Sequence, residues 1–169
     1  LIVFVRSVGV NIRAFQGYHT MEVHKKLPWQ DMLDELTSGA VIDAQAKRPT
    51  WHLDNIMRLQ VKPPVLPPSD IIHVVMIATY NETREVVEPT IQALINSEYD
   101  MRKVILVLAY EERGGPHIEK QSEALVHEYK NVFRHAMAVK HPDGIARELK
   151  GKGANITYAA RQIQTYLEQ

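Results

Sequence analysis

The period of apolar positions changes once along the chain, across the stretch VKPPVLPPSD from Val61 to Asp70. Pro63, Pro64, Pro67 and Pro68 fix φ and remove backbone donors, so this segment is expected to run extended as a linker over 61–70. Upstream the spacing is helical. In WQDMLDEL, Trp29, Met32, Leu33 and Leu36 share one face behind Pro28, which is expected at the first helical position. The next segment, AVIDAQAKRPTWHLDNIMRL, breaks at Pro49 and resumes with Trp51, Ile56, Met57 and Leu59. Residues 1–60 are predicted mainly helical. They carry no catalytic signature and read as a structural or membrane-proximal appendage.

Downstream, residues 71–169, the pattern alternates. IIHVVMIAT, Ile71 to Thr79, is a β-branched run of the kind buried on both faces of a parallel sheet. REVVEPTIQALINSEY then sets Val86, Val87, Thr90, Ile91, Leu94 and Ile95 at helical spacing, with Pro89 tolerated only near the helix start. KVILVLAY (Lys103 to Tyr110) predicts a second strand, HIEKQSEALVHEYK a second helix, and VFRHAMAV a third strand. GANITYAARQIQTYLEQ predicts a helix able to bury several of Ala154, Ile156, Tyr158, Ala159, Ile163, Tyr166 and Leu167. Strand–helix alternation with long connections implies right-handed βαβ units. The predicted class is α/β, an open, mostly parallel, Rossmann-like sheet with flanking helices, preceded by a mainly helical N-terminal segment.

The opening, LIVFVRSVGVNIRAF, supports two expectations. As a complete element it is a buried strand or helix, because about a dozen apolar residues interrupted by Arg6 fall short of the roughly 20 that span a bilayer. Alternatively it is the cytoplasmic end of a membrane helix, with Arg6, Arg13, Lys25 and Lys26 as the positive flank. Because the chain opens on Leu1 in mid-pattern, it reads as a piece of something longer.

Composition narrows the partners. Lys+Arg and Asp+Glu both number 20, so no global basic field argues for nucleic acid and no acidic excess argues for disorder. Any charged ligand must be held locally. The absence of cysteine removes disulfides and thiolate zinc sites and permits a reducing, cytosol-facing setting. The eight histidines show no metal-ligand spacing, and His73 within a strand reads as a core group.

In open α/β sheets ligands bind beyond the carboxyl ends of the strands. Those ends carry Thr79, Tyr80, Asn81 and Glu82; then Tyr110, Glu111, Glu112, Arg113, Gly114 and Gly115; then Lys140, His141, Asp143 and LKGKGAN, Leu149 to Asn155. Tyr80 offers a flat face for a base and a hydroxyl that can stay wet. A carboxylate at Glu111 or Glu112 can accept from an imide N–H and so prefer uracil over cytosine. Lys152, in a glycine-flanked turn before a helix, can meet a diphosphate beside free backbone N–H groups. Each element also has a plainer reading. TYNE suits a helix start capped by Asn81 or Thr83, YEERGG a solvated loop, and GKGAN any tight turn, since it lacks Walker A spacing.

The order of these pieces, a strand ending in TYNE, a strand ending in acids and glycines, and KGKGAN opening a helix, resembles the N-terminal half of a family 2 glycosyltransferase of the GT-A fold. The resemblance covers Ser69 to Gln169, and Leu1 to Trp51 is similar to the membrane-proximal segment of membrane-anchored members. It implies that Thr79 and Tyr80 line a uridine pocket, Glu82 sits at its edge, Glu111 or Glu112 replaces the usual aspartate at uracil, Lys152 approaches the diphosphate, and Asn155 opens the helix. It further implies a parent enzyme, membrane-associated on the cytoplasmic face, that transfers a sugar with inversion from a UDP-linked donor to an acceptor hydroxyl. Such enzymes hold Mg²⁺ or Mn²⁺ on a D-x-D motif one strand further on, which neutralises the leaving diphosphate. No D-x-D, catalytic base or Q-x-x-R-W occurs here, so the expectation is no catalytic residue and no bound metal within this chain, and an inert fragment. The alternatives are a non-catalytic α/β nucleotide- or partner-binding domain, and a nucleotidyltransferase, which would want glycines where TYNE stands.

Overall fold

The computed structural model describes residues 2–168, the side chain of Ile2 excepted, and the chain forms two compact units, Leu1–Asp70 and Ile71–Gln169. Leu1 of the apolar opening and Gln169 of the last predicted helix lie outside the described residues.

The first unit holds α1 (Ile2–His24), α2 (Trp29–Ser38) and α3 (Thr50–Val61), with a single 3₁₀ turn at Pro68–Asp70. The opening is therefore a helix and not a buried element: from Val3 to His24 only Gly9, Glu22 and His24 are half-buried and the rest are exposed. Apolar periodicity fixes helix formation, but burial needs a facing surface. Here α2 and α3 pack together, and each buries one apolar side chain, Met32 and Ile56. No described helix is long and apolar enough to cross a membrane. Pro28 precedes α2 instead of opening it, one residue earlier than its spacing predicts; there its missing N–H costs no helical bond. Gly39 closes α2 at φ 71°, donating its N–H to the Glu35 carbonyl.

The polar heart of this unit is Glu35, fully buried on α2 beside apolar Met32. Its carboxylate accepts from Arg48 Nε (2.9 Å), Arg48 Nη2 (2.9 Å), His52 Nε2 (2.8 Å) and the Ile42 N–H (3.3 Å). One side chain thus ties α2 to α3 and to the loop between them. The Arg48 guanidinium is the main cause holding the Glu35 carboxyl down at about 2 against the opposing effect of burial.

The second unit is an α/β layer structure: β1 (His73–Thr79), α4 (Arg84–Ile95), β2 (Val104–Glu111), α5 (Pro116–Tyr129), β3 (His135–His141) and α6 (Lys152–Leu167). The three strands pair in parallel in the order β1-β2-β3. Alternation along β2 sorts the core into two layers. Leu106 and Leu108 face Val87 and Ile91 of α4 and Leu125 of α5, whereas Ile105, Val107 and Ala109 face Ala159 and Ile163 of α6. Helices therefore cover both faces of an open sheet.

Burial follows position in the sheet. All of β2 is buried, as its apolar run requires, but β1 starts only at His73 and Val74 to Ala78 are half-buried. As an edge strand β1 still sends Val75 and Ile77 into one core layer and Val74 and Met76 into the other, so the expected burial on both faces holds in part. The third strand also starts later than VFRHAMAV suggests. Phe133 still anchors the core from the preceding turn. Pro89 sits well inside α4 with its ring side exposed, where only one helical bond is lost. On α6 the buried positions are Asn155, Ala159 and Ile163; Ile156, Tyr166 and Leu167 are exposed.

Candidate functional site

Parallel register aligns the strand ends in rows. Thr79, Tyr110 and Lys140 stand abreast across the sheet, with Glu111 beside His141 in the next row. Neighbouring strands are roughly 4.8 Å apart, so the predicted groups on β1 and β2, namely Thr79, Tyr80, Glu82, Glu111 and Glu112, collect along one edge. The helices that follow the three strands all begin at this edge, and none of the three N-termini is capped by a side chain: α4 starts after Thr83, α5 after Gly115, α6 after Gly151. Their N-terminal N–H groups and dipoles contribute partial positive charge at this edge.

The TYNE loop is organised by its own acid. Glu82 folds back so that Oε2 accepts from the Tyr80 N–H (2.6 Å) and the Asn81 N–H (3.2 Å). Those amides, the Tyr80 N–H foremost, hold its carboxyl below the usual range against desolvation, and the charge of Lys152 adds to the effect. The Glu82 carbonyl in turn accepts from Gln121 of α5 (3.1 Å). Thr83 stands at the position before α4 with Glu85 in the first turn, as the plain helix-start reading expects, but no side-chain cap hydrogen bond forms there. The loop is a pre-formed turn, with Tyr80 left 38% exposed at its tip.

The β2 end closes against it. A Cβ on Gly114 would collide with the Tyr80 carbonyl oxygen, so only glycine lets the two loops meet. This approach sets the Arg113 guanidinium over the Tyr80 ring, 4.7 Å from its centroid, while Arg113 Nε also donates to Glu111 (2.8 Å). Glu111 is buried and its Oε2 accepts from Arg113, so of the two candidate carboxylates it is the one paired with an arginine. Glu112 is exposed, and its Oε2 accepts the Asp143 N–H (2.9 Å), tying the β2 end to the loop after β3. Asp143 is itself paired with Lys150 (2.6 Å), chiefly through which its carboxyl is lowered. His141 and Glu148 meet at 3.0 Å. These groups wall a cavity of about 20 Å³, room for one water-sized group.

Below the rim, Asn155 binds the sheet. Its Nδ2 donates to the Ala109 carbonyl (2.8 Å) and reaches the Thr79 carbonyl (3.4 Å), which fixes the start of α6 against the ends of β1 and β2. The Thr79 hydroxyl and the Asn155 Oδ1 are buried and have no hydrogen-bond partner among the described residues. Lys152 is the first residue of α6 and is exposed.

The structure thus brings Thr79, Tyr80, Glu82, Glu111 and Glu112 to one edge and starts the Lys152 helix there. Sequence reasoning passed over Arg113 as a site residue. Its signal was the opposite charge two positions from Glu111 with two glycines behind, but only the tertiary approach of Tyr80 gives it an aromatic partner. The strand-end acids do not make a cation site: Glu111, Glu112, Glu82 and Asp143 each bind a different donor, and no three His, Cys, Asp or Glu among the described residues could share a metal ion. No family model, curated protein or solved structure matches the chain.

Proposed function

We propose that the α/β unit is the nucleotide-binding half of an inverting family 2 glycosyltransferase of the GT-A fold, taking a uridine-diphosphate sugar as donor for an acceptor hydroxyl. The observation that carries this reading is the pairing, along one strand edge, of a half-exposed aromatic with an uncapped helix N-terminus that begins with a lysine. The base stacks on the Tyr80 face that Arg113 leaves open. The diphosphate meets Lys152 and the first N–H groups of α6. The unpaired Thr79 hydroxyl supplies a further polar contact at the same strand end. Uracil recognition is assigned to Glu111 or Glu112, of which Glu112 is the exposed one. The role assigned to this unit is donor binding.

The test is a thermal shift. A ligand that binds only the native state stabilises it by mass action, so UDP raises the unfolding midpoint while AMP and NAD do not. Equal shifts with all three would reduce the site to a general phosphate binder, and no shift would remove the reading. One specific feature favours the second reading, a binding module without turnover: Glu82, Glu111 and Glu112 each already accept a hydrogen bond from a neighbouring group. Metal-dependent sugar transfer by the purified chain would overturn that second reading.

A further inference from the structure

The α/β sheet ends at β3, and the outer side of that strand faces a groove which the nucleotide reading leaves unused. Among the described residues β3 pairs with β2 alone. Backbone groups alternate sides along a strand, so between His135 and His141 every second N–H and C=O bonds to β2 and the others point outward. Helix α5 flanks this edge. It buries Ser122, Leu125 and Tyr129, and its Glu123, Val126 and Lys130, three and four positions apart, form a second face turned to the groove. The groove holds about 520 Å³ and is lined on the strand side by Ala136 and Ala138, with Arg134 at its end. A strand added to β3 places alternate side chains on the α5 side, over Val126 and the two alanines, where small apolar groups fit.

Charge selects the occupant. On α5, Glu119 is taken by Lys140 and Glu128 by Arg84, each at 2.7 Å. Lys130 and Arg134 are exposed and have no ion-pair partner among the described residues. The acid of the groove, Glu123, stands seven residues back along α5, about 10 Å by helical rise, so the end at the start of β3 is basic. A second copy of the chain fits this poorly. Two β3 edges paired antiparallel about the strand middle bring Arg134 and His135 of each copy to Lys140 and His141 of the other, and like charges opposite one another destabilise such a pair.

We propose that the β3 edge accepts an additional strand from a partner protein: an extended segment with small apolar side chains on one face and an acidic residue at the end that meets Lys130 and Arg134. Main-chain hydrogen bonds to β3 supply affinity in this mode, and the groove supplies specificity. None of the residues assigned to the nucleotide takes part, so the two readings fail separately.

Two labelled synthetic peptides, Glu-Thr-Val-Thr-Val-Thr-Ser and its reverse, probe the edge in either strand direction, with fluorescence anisotropy and amide hydrogen exchange of the full chain as readouts. Expected is salt-sensitive binding of one of them, with new protection at alternate amides of β3 and none along β1. N-methylation of alternate peptide amides should abolish binding for one set of positions and spare it for the other. Arg134→Ala should weaken binding by up to about fivefold, the usual range of an exposed ion pair. Lys130→Glu with Arg134→Glu, both at exposed positions, should lose the Glu peptide, gain the one carrying Lys in its place and leave the unfolding midpoint unchanged. Equal binding of the Glu and Lys peptides overturns the charge argument, and binding without protection at β3 overturns strand addition. Failure of both peptides to bind overturns the proposal. Self-association without peptide, with the same protection at β3, identifies a second copy as the occupant and overturns the acidic partner.

Discussion

Glu35 and Glu82 are both held below the usual carboxylate range, yet by opposite means. Glu35 is sealed in the helical unit and neutralised by dedicated side chains, Arg48 and His52, brought to it from the following loop and helix. Glu82 lies at the rim of the α/β unit and is held mainly by backbone amides of its own loop. In the first unit a charged network does part of the work of a core too small to be apolar throughout. In the second the core is Leu, Ile, Val and Phe, and the charges stay at the edge, where a ligand can exchange with them.

The strongest way to break this contrast is Glu35→Ala. It leaves the buried Arg48 with only the exposed Asp31, 3.7 Å away, as a counter-charge, and loss of one partner of a buried pair costs about 3–5 kcal/mol. Circular dichroism on heating should show the helical unit melting early with the sheet unaffected; a single transition moving as a whole would mean the two cores are not independent. Next is Gly114→Ala. Forcing a methyl into the Tyr80 carbonyl costs about 1–3 kcal/mol as an overpacking substitution. Denaturant unfolding should register it in the α/β unit, together with loss of nucleotide binding.

Smaller effects sharpen the rim. Tyr80→Ala should weaken UDP and uridine alike by ~1–3 kcal/mol, the range for base–aromatic stacking. Lys152→Ala should weaken UDP and spare uridine, since the lysine meets only phosphate. Calorimetric titration of the two ligands against both variants separates base from diphosphate, and an unchanged Tyr80→Ala affinity removes Tyr80 from the pocket. The smallest effect is in acid. The Glu35 pKa is depressed on folding, so its stabilisation is complete above the ordinary carboxylate value and is lost as pH falls through about 2. Helical signal from the first unit should therefore outlast protonation of ordinary surface carboxylates, and its collapse near pH 4 would show that the Glu35 network is not holding the unit.

Much of the α/β unit was legible. Continuous β-branched runs and helical spacing located the three strands and three helices to within a few residues, because apolar period reports directly on local geometry. Which strand would be central was not, since IIHVVMIAT and KVILVLAY are equally apolar and only pairing leaves β1 at the edge. The candidate site divides in the same way. Chain order placed Tyr80 and Lys152 after their strands. The pairing of Arg113 with both Tyr80 and Glu111 needed the loops to be brought together. In the helical unit the apolar face of α2 was readable from Trp29, Met32 and Leu33, but Met32 is buried with Glu35 while the other two face solvent.

The sequence by itself determined the elements, the change of period at the prolines and the strand-end positions of the polar residues, because each of these depends on neighbours within a few positions along the chain. Only the tertiary structure decided that α1 stays exposed, that Glu35 is a core residue and that Gly114 presses on Tyr80. Those outcomes depend on contacts between segments distant in sequence, such as Glu35 with His52 and Tyr80 with Gly114, and no local period encodes which distant surface a side chain will meet.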